Sequence, residues 1–172
     1  MNKNLHFIAL HSHNSLKQFT NFSGLCPQLV YTIERLVRGL ASPRDAARLG
    51  FTLALAQIIE LIPEVKFSLL VDTSDALLKA PSSAKPHEKR DAMLGKLFFA
   101  NALVQSSRFA TMPADQHPCI ENLLMQLVKV FKKNLALRET TCTTIIALIE
   151  KVCLNEIFNF EYFLFAAPST CC

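Results

Sequence analysis

Residues 35–63, RLVRGLASPRDAARLGFTLALAQIIELIP, decide how this chain folds. Ser42 and Pro43 punctuate the stretch. A serine hydroxyl caps a helix by accepting a hydrogen bond from a first-turn N–H. Proline is tolerated at the first helical position, where the N–H it lacks would have no partner. Asp45 then falls in the first turn, where a negative charge suits the positive end of the helix dipole. One helix is therefore expected to end between residues 39 and 41, and the next to start at Pro43 with Ser42 as its cap. The two would form a tight helical hairpin.

Outward from the corner, Leu29, Ile33, Leu36, Val37 and Leu40 keep the 3–4 spacing of one helix face, with Glu34, Arg35 and Arg38 on the other side. Beyond the corner the face is Ala47, Phe51, Ala54, Ile58 and Ile62, but Leu49, Leu53, Leu55 and Ile59 make most other directions apolar too. A helix hydrophobic nearly all round belongs between other helices, so this one is expected at the centre, with Phe51, Leu55 and Ile58 in the core. Pro63 ends it. Helical periodicity then recurs over 65–79, 88–109, 120–134 and 138–152. The breaks between are rich in proline and small polar residues: APSSAKP at 80–86 and TMPADQHP at 111–118. No strand period appears. The expected fold is all-α, about six helices arranged as an α-solenoid of HEAT/armadillo-like hairpins, with a compact bundle as the alternative. Residues 1–24 read as an extension, 25–153 as the helical-repeat domain, and 154–172 as an aromatic tail, either a final core helix or the exposed end of a solenoid whose next neighbour is missing.

Composition agrees with one helical domain. Of 172 residues 51% are hydrophobic, only four are glycine and tryptophan is absent. The six cysteines are scattered without a CxxC pair and read as reduced thiols. At the N-terminus His6, His11 and His13 interrupt the apolar patch that a secretory signal requires. Every apolar run stops short of the roughly 20 residues that cross a bilayer, so no membrane partner is expected.

Catalysis needs converging polar groups, and the sequence nominates none. Asp72 and Asp75 can share a helix face but lack the further carboxylates a two-metal site requires. His117-Pro118-Cys119 joins a histidine and a thiol without an orienting third group. Neither GxxxxGK[ST] nor GxGxxG occurs. No catalytic residue, metal ligand, cofactor or small-molecule substrate is therefore assigned.

The basic residues carry more. Arg35 with Arg38, and Arg44 with Arg48, can each share a helix face, and the tight corner would merge them into one positive surface. These four are the candidate nucleic-acid or partner-binding residues. Lys85, Lys89, Arg90 and Lys96 form a second basic group, and Lys129, Lys132 and Lys133 a third. Such groups bind phosphate backbones without reading sequence. The competing reading is a solvated face, with Glu34 paired to Arg38 and Asp45 to Arg48. The formal net charge of +4 permits an acidic partner without requiring one.

The same stretch resembles the N-terminal region of the DNA polymerase phi / Myb-binding protein 1A family. The marks are RLxRGL at 35–40, SxRxxAR at 42–48 and GFxLAL at 50–55. KRDAMLGKLFFANALVQSSRF at 89–109 is similar to the family's charged LGxLF helix and the turn that follows it. The resemblance covers roughly residues 25–152. It implies a nuclear, mainly nucleolar helical-repeat protein acting in ribosomal RNA gene transcription and ribosome biogenesis. Its implied partners are transcription or ribosome-biogenesis proteins, with DNA or RNA contact. The polymerase activity in the family name lacks its carboxylate set here. A non-nuclear helical adaptor without nucleic-acid contact is the alternative class.

Overall fold

The computed structural model describes the backbone of residues 24–166 and the side chains of 24–152 except Ala114. The extension expected at 1–24 lies almost wholly outside the described residues. Six α-helices follow in order: α1 (Pro27–Gly39), α2 (Asp45–Leu61), α3 (Phe67–Leu77), α4 (Pro86–Gln105), α5 (His117–Lys133) and α6 (Arg138–Ala166). Short 3-10 turns at Ser107–Thr111, Ala114–Gln116 and Leu135–Leu137 join the later ones, and no strand occurs among the described residues.

The helices alternate between two layers. α1 packs on α3 and α3 on α5; α2 packs on α4 and α4 on α6. The layers meet where α1 packs on α2, α5 on α6, and α4 on both α1 and α5. A chain folded in successive helical hairpins, each burying a face on the next, produces this alternation. One continuous core runs through it, including Ile33, Val37, Leu55, Ile59, Phe67, Leu70, Phe99, Leu103, Leu127 and Leu148.

The first corner follows the sequence in outline and departs from it in detail. α1 begins with Pro27 in its first turn and ends at Gly39, and the Ser42 N–H bonds the Gly39 carbonyl at 3.0 Å. α2 starts at Asp45, not Pro43, because Arg44 is extended (φ −98°, ψ 122°) and occupies the cap position. Ser42 therefore does not cap a helix. Its Oγ accepts from the Arg44 N–H at 3.3 Å, closing a local turn instead. Gly39 also has a reason other than termination: a Cβ there would sit 2.5 Å from the Phe51 ring. Only glycine lets α1 and α2 approach so closely.

α2 is not the central helix its composition suggests. Leu55 and Ile59 are fully buried, Phe51 and Ile58 are partly buried against the core, but Leu49, Leu53 and Leu61 are exposed. The reason is position. α2 ends its layer, so no described helix covers its outer side. α6 is longer than expected, and its backbone passes residue 153 without a break. The aromatic side chains beyond Val152 lie outside the described side chains. No helix of the described residues is long and apolar enough to cross a membrane.

A long-range clamp fixes the connection between α2 and α3. The Arg108 guanidinium donates to the carbonyls of Ile59, Ile62, Pro63 and Val65, the last two at 2.9 and 3.2 Å. These acceptors include carbonyls left over where α2 ends, which otherwise lack an intrahelical partner. The same guanidinium lies 5.4 Å from the centre of the Phe67 ring, and Phe67 meets the buried Phe109 edge to face. Glu60 answers from the other side, accepting from the hydroxyls of Ser106 and Ser107 and from the Ser107 N–H at 2.8 Å. Bonding from Ser107 holds the Glu60 carboxyl below its usual range, against a smaller opposing effect of burial.

Candidate functional site

The four corner arginines do not form one uniform surface. Arg35 and Arg44 are exposed. Arg38 keeps a partly exposed side chain while reaching Glu34 at 3.5 Å, and Glu34 is itself buried. Arg48 is inside the fold, only 5% exposed. Its guanidinium donates to the Ser42 carbonyl and to Asp45, stands 4.0 Å from Asp91 and lies over the Phe98 ring at 5.6 Å. Arg48 thus ties the first corner to α4. The Glu34–Arg38 and Asp45–Arg48 pairings of the competing reading are both present, and the solvent-facing part of the corner reduces to Arg35, Arg38 and Arg44.

The second and third basic groups, separate in sequence, come together. A cavity of about 400 Å³ opens between the end of α3, the loop after it, α4 and α5. Lys79, Lys89, Lys96, Lys129 and Lys133 surround it, and Leu78, Met93 and Val130 give it an apolar floor. Helical spacing accounts for the convergence. Residues 89, 92, 93 and 96 recur at one face of α4, and 126, 129, 130 and 133 at one face of α5. Lys96 bonds Asp75 and the Gln126 Oε1, each at 3.0 Å, and Lys89 bonds the Ser82 carbonyl at 3.0 Å. Among the described residues no carboxylate lies within ion-pair distance of Lys79, Lys129 or Lys133. Lys85, Arg90 and Lys132 do not line the cavity. Sequence reading missed its fifth lysine, Lys79, because the expected helix over 65–79 placed it at a helix end, whereas that helix stops at Leu77 and Lys79 lies in the loop beside the cavity.

The remaining chemistry is sparse. Among the described residues no three His, Cys, Asp or Glu side chains come together to hold a metal ion. Burial, with a contribution from Asp72, pushes the Cys119 thiol up to about 11. It is therefore protonated at neutral pH and a poor nucleophile.

The described residues form an all-α, two-layered fold with basic solvent-facing patches. The family described as DNA polymerase phi matches residues 31–163, and the chain belongs to that family. A Myb-binding protein 1A-like protein of Danio rerio is 28% identical over 162 residues, covering 93% of this chain and 12% of the relative. The rDNA transcriptional regulator pol5 of Schizosaccharomyces pombe is 30% identical over 79 residues, 46% of this chain and 8% of its own length. The regulator of the same name in Saccharomyces cerevisiae is 29% identical over 96 residues, 9% of its length. The chain thus spans about a tenth of the curated relatives it matches. No solved structure matches it.

The stretches that carry the family resemblance mostly build the fold. Gly39 admits Phe51, and Arg48 binds the corner to α4. Gly95 of the LGxLF stretch is buried where a Cβ would meet Leu78 at 3.0 Å and Ala41 at 3.3 Å. Arg108 closes the α2–α3 connection.

Proposed function

We propose that this chain is a segment of a nuclear, nucleolar helical scaffold that regulates transcription of ribosomal RNA genes and acts in ribosome biogenesis by binding rather than by catalysis. Membership of the DNA polymerase phi family carries the reading, and two relatives named as rDNA transcriptional regulators give it direction. The internal roles of Gly39, Arg48, Gly95 and Arg108 support it from the other side: they hold hairpins in register and leave charged surfaces for partners. Arg35, Arg38 and Arg44 are the contact residues at the first corner, and Arg48 positions that corner from behind. Their partner is a transcription or ribosome-biogenesis protein, or the phosphate backbone of DNA or RNA.

The test uses the full-length gene product. A tagged copy is imaged against a nucleolar marker, and precursor ribosomal RNA synthesis is measured after depletion and rescue. Nucleolar signal with reduced synthesis on depletion is the expected result. An Arg35→Glu, Arg38→Glu, Arg44→Glu copy should fail to restore it. For direct DNA or RNA contact, the salt dependence of binding should lessen by about one unit of slope per phosphate contact removed. Exclusion from the nucleus with unchanged synthesis would sink the proposal in favour of a non-nuclear adaptor.

A further inference from the structure

We propose that the lysine-rimmed cavity between α3, α4 and α5 is a docking site for an acidic segment of a partner protein, one that presents an apolar side chain between aspartates or glutamates. The site goes beyond the arginine corner and does not depend on it.

Charge is the first argument. Five lysines face one cavity, and the single carboxylate paired there is Asp75 on Lys96. Gathering like charges without counter-charges is unfavourable in the free protein and becomes favourable when an anion arrives. The spacing of the lysines describes that anion. Lys89 and Lys96, seven residues apart on α4, lie about 10 Å apart along the helix axis, and Lys129 and Lys133 about 6 Å. A small anion at one end of the roughly 10 Å span on α4 leaves the lysine at the other end unengaged. A peptide with several carboxylates reaches most.

The floor is the second argument. Leu78 and Val130 are 2% and 3% exposed and Met93 lies beside them, an apolar base beneath the charged rim. Methionine adapts to irregular apolar partners. Gln126 is 4% exposed and lines the cavity with its Oε1 held by Lys96. Its Nε2 has only a marginal contact, 3.5 Å to Asn122, so that N–H can donate to a peptide carbonyl.

The same lining argues against nucleic acid. It contains no aromatic ring on which a base could stack and no arginine fork for bidentate phosphate binding. A nucleic-acid backbone would also leave the apolar floor without a partner.

The experiment measures fluorescence anisotropy of a labelled synthetic peptide in which leucine and phenylalanine alternate with aspartate and glutamate. It is titrated with the 172-residue chain at roughly 0.15 M ionic strength. A peptide of equal charge with serine at the apolar positions and a single-stranded RNA are run beside it. Binding should weaken about tenfold in Lys129→Glu/Lys133→Glu, as expected for two ion pairs in the middle to upper part of the exposed range. Lys132→Glu, on the same helix outside the lining, should weaken it clearly less than the double variant, since its side chain does not face the cavity. The serine peptide should bind more weakly than its apolar counterpart. If the double variant loses its helical circular dichroism, Lys79→Glu in the loop makes the same test. Equal binding by the double variant and the wild type overturns the site. RNA binding tighter than the peptide and lost in the same variants overturns the choice of occupant.

Discussion

Replacing Arg108 with alanine removes one guanidinium from four carbonyl acceptors and from the face of Phe67. A hydrogen bond to a charged group contributes on the order of 1.5–3 kcal/mol when deleted singly. The four bonds share one donor group that is partly exposed, so they do not add. Partial burial draws the Arg108 pKa down, and Glu60 and Glu64 oppose that shift. A net loss of about 2–4 kcal/mol follows, with the ring contact contributing about 0.5–1 kcal/mol of it. For a chain of this size that corresponds to a fall in Tm of roughly 5–15 °C. Arg108→Lys keeps the charge but not the planar fork, so it should recover less than half. The assay is urea unfolding of the 172-residue chain followed by circular dichroism. An Arg108→Ala unfolding free energy within about 0.5 kcal/mol of wild type, the range of ordinary surface substitutions, would refute the clamp.

Further outcomes are expected elsewhere. Gly39→Ala should destabilise by about 1–3 kcal/mol despite alanine's better helix propensity, because its Cβ overlaps the Phe51 ring. Adding Phe51→Leu should return part of the loss, and a Gly39→Ala chain more stable than wild type would contradict the close approach. Arg48→Glu should cost about 3 kcal/mol or more by placing an acid beside Asp91, whereas Arg44→Glu should stay within about 0.5 kcal/mol; equal midpoints would show that Arg48 is not internal. Cys119 should react with iodoacetamide at neutral pH more slowly than the exposed Cys26 and Cys142. Because its folded pKa is raised to about 11, its contribution to stability is intact below the ordinary thiol range and is lost as pH rises toward that value. Equal labelling rates at the three cysteines would contradict its burial.

Local chemistry explains what was legible in the sequence. Proline and small polar residues mark the ends of α2 and α3 because they act on their own backbone, but the expected helix over 88–109 overran the end of α4, which stops at Gln105 before a 3-10 turn at Ser107–Thr111. The same local rule misjudged Ser42. A hydroxyl at the right spacing can cap a helix or close a turn, and Arg44 in an extended conformation selects the turn. The outer face of α2 was illegible for another reason: Leu49, Leu53 and Leu61 report that the helix is apolar, not how many neighbours it has. Arg48 and Arg44 look alike in sequence, four residues apart, and only the approach of Phe98 and Asp91 on α4 separates the internal one from the exposed one. The lysine cavity depends on side chains from residue 79 to residue 133, so no single window of sequence contains it. Arg108 could have been suspected from its place in the QSSRF turn, but its acceptors lie 43 to 49 residues upstream.

That separation sets an order of events on the ribosome. Arg108 is added 49 residues after Ile59, whose carbonyl it caps. At about 5–20 residues per second, the end of α2 waits about 2–10 s between its own synthesis and that of its cap. Through that interval the end of α2 carries open carbonyls, and Phe67 at the start of α3 lacks its guanidinium contact. The end of α2 and the turn after α4 are therefore completed together, and a chain shorter than 108 residues lacks the donor for these carbonyls.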